Sequence, residues 1–303
     1  MDLSTTYLGF KLRTPIVPSA SPLSEDLDHI KQMEDAGASA VVLHSLFEEQ
    51  VGSQRTDAYL RKIEGAKAWV RIPIIASLNT STLMNWMGLA RRIQEAGADA
   101  LELNIYTIPT DLALKGEVVE ETHLRILEGV KAEVSFPVAV KLSPFFSNLA
   151  NLAKRLDDVG ADGLVLFNRF YQPDIDLDHL RVTSDISFNA PNEARLALRW
   201  IAILYGRIQA DLAATTGIHN GLDVLKMVLA GADVAMVCSA LLERGILHLT
   251  VIEQQMRAWM QEHGHESLEA LKGRLSHQHS SDPSAYERAQ YVHALTTWIT
   301  SST

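Results

Sequence analysis

Four copies of a short apolar segment opened by Gly-Ala, a second set of apolar runs between them, and helix-periodic linkers joining the two predict an α/β fold. That fold is a single (β/α)8 TIM barrel with long βα loops and a C-terminal helical extension. The first copy is Ala36-Gly37-Ala38-Ser39-Ala40-Val41-Val42-Leu43, and its glycine recurs as Gly97, Gly160 and Gly231. Each glycine closes a helical pattern, where a residue tolerating positive φ ends the helix at least cost, and precedes a run of strand length.

The second set begins at Pro15, Pro73 and Pro137, with residues 210–214 as a looser fourth member. Proline is tolerated at the first residue of a strand because no ladder hydrogen bond is lost there. Residues 24–36, 82–96, 148–159 and 221–230 are the helix-periodic linkers. Two strands in each of four repeats make eight. An open doubly wound sheet also alternates strand with helix, but a fourfold repeat closes naturally into a ring.

Two stretches depart from the repeat. Residues 47–68, with Glu48-Glu49 and Arg55-Thr56-Asp57, read as a long polar βα loop. Residues 170–191, with Asp174, Asp176, Asp178 and Asp185, read as an extended insertion after the sixth strand. They lack the glycine and terminal glutamate of a calcium loop, so a solvated loop is expected. Residues 1–265 are assigned to the barrel and 266–303 to an extension packed on it. That extension reads as helical at first and again from about Ser284, with a polar break at 277–283.

Composition narrows the function classes. The 303 residues carry 27 Lys and Arg against 37 Asp and Glu, a net charge of −10, which speaks against a nucleic-acid or anionic-membrane surface. With 47% hydrophobic and 21% charged residues, wholesale disorder is excluded. A single cysteine, Cys238, excludes a disulfide framework or a multi-cysteine metal site within the chain. Residues 1–6 show neither the basic nor the apolar part of a secretory signal, and no apolar run reaches membrane-spanning length, so a cytoplasmic protein is expected.

Active sites of such barrels lie at the C-terminal strand ends. These ends are Ser19-Ala20-Ser21, His44-Ser45, Ser77-Leu78-Asn79, Asn104-Ile105-Tyr106-Thr107, Lys141, Asn168-Arg169, Thr215-Thr216-Gly217 and Cys238-Ser239-Ala240. Gly217 and the Cys238-Ser239-Ala240 turn offer backbone N–H groups to an anion, which suits a phosphate-bearing ligand; small residues fitting tight turns are the alternative. Lys141 ends an otherwise apolar strand and needs an anionic partner, either a ligand or a structural ion pair. Asn104 and Asn168 present amides that suit a ligand or a structural role equally, and His44 could titrate near neutrality or be structural. Cys238 reads as a small buried residue rather than a nucleophile.

Taken in order, Tyr7-Leu8-Gly9-Phe10-Lys11-Leu12-Arg13-Thr14-Pro15-Ile16-Val17-Pro18-Ser19-Ala20-Ser21, Glu102-Leu103-Asn104, Val140-Lys141-Leu142-Ser143-Pro144, Asn168, Gly217-Ile218-His219-Asn220-Gly221 and Ser239-Ala240-Leu241-Leu242-Glu243-Arg244-Gly245 resemble the dihydroorotate dehydrogenase family. The resemblance runs from Leu3 to about Gly245. It implies an FMN-dependent oxidoreductase acting on a CH–CH bond, in the family's case converting dihydroorotate to orotate in pyrimidine biosynthesis. A base takes the C5 proton while C6 delivers hydride to the flavin.

By carry-over, Ala20, Ser21, His44, Asn104, Lys141, Asn168, Thr216, Gly217, Ser239 and Ala240 would hold FMN, with Lys141 at the pyrimidine edge of the ring and Gly217 and Ser239-Ala240 at the phosphate. Substrate would meet Asn104, Thr110, Asn168 and Arg169. The family motif after the fourth strand, Asn-x-Ser, then Cys or Ser, then Pro-Asn, reads here Asn104-Ile105-Tyr106-Thr107-Ile108-Pro109-Thr110. The base position therefore falls on Thr107, with Tyr106 as an alternative acid–base group. His44 stands where the family has lysine, and Arg169 where it often has Ser or Thr.

The resemblance alone implies a homodimer, and a separate electron-transfer partner is a further expectation, since no second nucleotide motif or cysteine cluster accompanies the barrel. Alternatives are a flavin barrel for another dihydropyrimidine or an unsaturated carboxylate, a flavin-free phosphate-binding lyase or isomerase, and a non-catalytic flavin-binding accessory subunit.

Overall fold

The computed structural model describes residues 1–50, 54–169, 173–183 and 190–287, the Glu48 side chain aside. Eight parallel strands form one sheet: β1 (Ile16–Pro18), β2 (Val41–Leu46), β3 (Ile74–Leu78), β4 (Ala100–Asn104), β5 (Val138–Leu142), β6 (Gly163–Leu166), β7 (Asp211–Thr215) and β8 (Val234–Val237). They pair in sequence from β2 to β8, and β8 pairs with β1. The seam between β1 and β2 is bridged by Ser39 N–H donating to Ile16 O at 3.1 Å. The sequence-predicted (β/α)8 barrel is the fold observed.

Each strand is followed by a helix: α1 (Leu27–Asp35), α2 (Gln54–Trp69), α3 (Leu83–Glu95), α4 (Gly116–Glu133), α5 (Leu149–Val159), α6 (Ala194–Leu204), α7 (Gly221–Ala230) and α8 (Ser239–Arg244). Asp26, Thr82, Asn148 and Asn220 cap four of them through side-chain oxygens that accept first-turn N–H groups. The four repeat glycines take φ between +91° and +123°, as their helix-closing position requires. The Asp that follows Gly-Ala also has a task. Asp99, Asp162 and Asp233 each accept a strand N–H, from Ile74, Val138 and Leu212, at 2.7 Å. The repeat thus stitches the N-terminal rim of one strand to the next.

Three expectations are corrected. Residues 54–69, read as part of a loop, form α2, whose buried Tyr59, Ile63 and Ala66 carry a helical spacing that the surrounding charges obscure. The insertion after β6 contains a short antiparallel hairpin, Asp174–Asp176 with Arg181–Thr183, and Asp185 lies outside the described residues. The start of the extension, residues 266–276, runs as successive turns rather than a helix. Its N–H groups serve other elements instead: Gly273 donates to Val228 O and Leu275 to Leu229 O. After α9 (His248–Glu262), only α10 (Ser284–Glu287) is helical among the described residues of the extension.

The core has two layers. Leu43, Leu101, Val140 and Leu164 face the helices, whereas Val17, Val42, Ile75, Ala100, Ala139, Val165 and Ala213 fill the barrel. Tyr7, Leu8 and Leu12, from a hairpin of Thr5–Tyr7 with Phe10–Leu12, join that inner layer and plug the N-terminal end. Leu8 N–H is held by Asp211 at 2.7 Å. Side-chain alternation then leaves the C-terminal half of the interior to Ser77, Glu102 and Lys141.

Candidate active site

Glu102 and Lys141 form the floor of the site. Both point into the barrel, because they sit two residues beyond Ala100 and Ala139 on strands of period two. Lys141 is 6% exposed and Glu102 fully buried, and Lys141 Nζ lies 3.4 Å from Glu102 Oε1. The anionic partner that the position of Lys141 demands is therefore supplied, at least once, by the protein itself. Ser77 Oγ donates to the same carboxylate oxygen at 3.3 Å and lies 2.8 Å from Ser45 Oγ. Asn104 Nδ2 donates to Ser45 Oγ at 3.1 Å, and Asn168 Nδ2 donates to Asn104 Oδ1. One polar network thus runs across the barrel from β2 to the end of β6.

A β-bulge decides which β2 residue joins it. Val42 pairs with Ile75 and Ser45 with Ser77, so Leu43 and His44 on β2 oppose Ala76 alone. The extra residue turns Ser45 inward and His44 outward. His44 stacks edge-on with Tyr59 of α2 at 5.1 Å and borders a separate polar cleft with Glu25, Arg55 and Lys62. Burial and the neighbouring Lys62 charge push its pKa down to about 4, so the ring is neutral. His44, expected at the cofactor, thus borders this cleft and is not among the residues lining the cavity that Lys141 lines.

Above this network lies a cavity of about 250 Å³, bounded by Ser19, Ala20, Lys141, Asn168, Arg169, Thr216, Gly217, Cys238 and Ser239 among others. It shares Phe167, Asn168, Arg169, Thr215 and Thr216 with a larger open cleft of about 710 Å³ running toward α6. Thr216 and Gly217 both take positive φ. Thr216 donates to Phe167 O at 3.0 Å, and a Cβ on Gly217 would come within 2.5 Å of Ala194 N. The β7 end can thus pass against α6 only with glycine there. Residue α8 begins at, Ser239, follows Cys238 with no side-chain cap. Burial raises the Cys238 thiol pKa, against the pull of Lys141 and Arg169, which agrees with a protonated lining group.

The sequence-chosen residues divide into groups. Ala20, Lys141, Asn168, Arg169, Thr216, Gly217 and Ser239 line the cavity. Asn104 reaches it through Asn168, and Ser21 and Ala240 are buried. Thr107 and Thr110 are exposed on the loop after β4, with Tyr106 half-buried before them. Ser45 and Ser77 were placed at strand ends without a role, and Glu102 was missed as a site residue. The signal for Glu102 was present: a carboxylate in the middle of an apolar strand, in phase with Asn104.

A buried cation, paired amides and a glycine-lined rim at the C-terminal face define a barrel enzyme whose ligand carries anionic or carbonyl groups. Comparison with known proteins sharpens this. The sequence matches the family profile named Dihydroorotate dehydrogenase over residues 49–260. Similar proteins include the catalytic subunit of dihydroorotate dehydrogenase B (NAD(+)) from Thermoplasma volcanium, 27% identical, with 90% of this chain and 98% of the relative covered. The protein of the same name from Geobacter sp. (strain M21) is 28% identical with the same coverage. That from Methanothermobacter thermautotrophicus is 23% identical over 91% of this chain and 98% of its own. The chain belongs to the dihydroorotate dehydrogenase family and is an oxidoreductase of that family. No helix among the described residues is long and apolar enough to cross a membrane.

Proposed function

We propose that this chain binds FMN across the cavity above Lys141 and oxidises dihydroorotate to orotate. The observation that carries this reading is the buried Lys141 beside the Asn104–Asn168 pair, at the mouth of a barrel of this family.

The donor set fits the cofactor. An ammonium has three hydrogens, and the Glu102 contact uses one, leaving Lys141 able to donate to carbonyl or ring-nitrogen acceptors of a flavin. Thr216-Gly217 and the uncapped start of α8 would take the phosphate, and Ala20 would lie against the ring. A bound FMN would supply hydride-accepting redox chemistry, while the protein's own residues would supply alignment and charge. Asn104 and Asn168 would orient the substrate, and Arg169 would meet its carboxylate. Tyr106 and Thr107 are the acid–base residues in this reading. Thr107→Ala with Tyr106→Phe should then lower turnover by about 10²-fold or more, and unchanged turnover would remove both from that role.

The curated relatives are named catalytic subunits, which supports a separate electron-transfer partner for this chain as well. A cytoplasmic homodimer completes the reading. The exposure of Thr107 and Thr110, where the family motif is replaced, supports a second reading with the same flavin and another unsaturated, carboxylate-bearing substrate.

The visible spectrum of the purified protein, followed by anaerobic titration with dihydroorotate, tests both. A yellow protein bleached by dihydroorotate is the expected result. Bleaching by dithionite alone would reject dihydroorotate and favour the second reading, and a protein that stays colourless after incubation with FMN would reject the flavin.

A further inference from the structure

We propose that Glu102 acts through Lys141 as a built-in counter-charge that holds down the affinity of the site for electrons on the bound flavin. This inference rests on the FMN reading above. Glu102 is not a catalytic residue, since Ser77 and Lys141 separate its carboxylate from the cavity lining.

The geometry of the pair is what points to this role. The lysine–aspartate pairs at the opposite end of the barrel are short and direct: Lys67 lies 2.7 Å from Asp99 and Lys131 2.6 Å from Asp162. Those pairs are partly exposed, and their carboxylates are saturated by strand N–H groups as well. Glu102 is the reverse case. It is fully buried, its contact with Lys141 is 3.4 Å, and its Oε2 is buried with no hydrogen-bond partner among the described residues. A carboxylate introduced only to neutralise Lys141 would be expected to close on it, because burying two charges is repaid only by close geometry. The loose pair instead leaves the ammonium free to engage a ligand while cancelling much of its charge.

Charge of this kind acts strongly inside the barrel, where water does not screen it. Reduction places negative charge on the pyrimidine edge of a flavin, next to Lys141 in this reading. A lysine without its counter-ion would favour the reduced form more than the native pair does. Glu102 thereby sets the site's reducing power below the maximum that Lys141 could give.

The test is the equilibrium of FMN-loaded protein with reference dyes of known potential, for the wild type and Glu102→Gln. The expected result is a reduction equilibrium at least tenfold more favourable in Glu102→Gln, a shift of about 30 mV to the positive side for two electrons. An unchanged or negative shift would overturn the inference while leaving the flavin reading intact. A wild type that takes up no FMN would overturn both. Should Glu102→Gln fail to fold, Glu102→Asp, which keeps the charge but draws it back from Lys141, is compared with the wild type instead. A shift to the positive side smaller than tenfold is then expected, and an unchanged equilibrium would refute the role.

Discussion

Protonation of His44 is the sharpest check on where the bulge in β2 sends that side chain. Its pKa falls from 6.5 in the unfolded chain to about 4 in the fold, through burial first and the Lys62 charge second. Below pH 6.5 the unfolded chain binds a proton that the folded one refuses. Stability contributed by the neutral ring is therefore complete above 6.5 and drains away as pH falls toward 4. At about 1.4 kcal/mol per tenfold in proton concentration, the ceiling is about 3 kcal/mol, and solvent reaching the partly exposed ring lowers the expectation to about 2 kcal/mol.

Other groups titrate nearby. Asp211, raised to about 6 by burial and by Asp233, works in the opposite sense, and His123, lowered by burial, in the same sense. The useful quantity is hence the difference between wild type and His44→Gln, by urea denaturation at several values between pH 7.5 and 4. That difference should shift by about 2 kcal/mol in favour of the variant as pH falls, with FMN affinity unchanged at pH 7.5. A flat difference curve, or a large loss of FMN affinity, would place His44 back at the mouth and refute the argument.

Lys141→Met alone should cost about 3–5 kcal/mol because it strands the buried Glu102 carboxylate, and adding Glu102→Gln should recover most of that. Strictly additive losses in urea denaturation would show that the two do not interact. Gly217→Ala should cost about 2–4 kcal/mol, since its φ of +73° strains any side chain and its Cβ would press on Ala194 N; a loss below about 1 kcal/mol would contradict the close approach. Gly273→Ala should loosen residues 266–287, because its Cβ would come within 2.1 Å of the Tyr205 ring. Faster limited proteolysis of that segment is the expected readout, and an unchanged rate would count against the packing described.

The barrel was legible because its repeat is physical. Each Gly-Ala-Asp carries a helix terminator and a strand-capping carboxylate, so the pattern marks the same junction four times, with Ser39 in place of Asp in the first copy. Lys141, Asn104 and Asn168 were legible because a polar residue ending an apolar strand has few places to point.

The bulge was not legible, since Val41-Val42-Leu43 is apolar on both faces and carries no alternation from which an inserted residue could be read. The turns of 266–276 were hidden for a different reason. Leu268 and Leu271 have helical spacing, yet the backbone bonds to Val228 and Leu229 of α7 decide the conformation. Glu102 was overlooked because its meaning lies in Lys141, thirty-nine positions away.

The loop after β4 carries a lesson about change over generations. From Thr107 to Lys115 every residue is exposed, and Leu112 protrudes completely. Replacements there cost the fold little, so mutation can rewrite how the mouth greets its substrate without disturbing the polar floor beneath. Directed evolution aimed at new donors would do well to begin on that stretch and leave the strands alone.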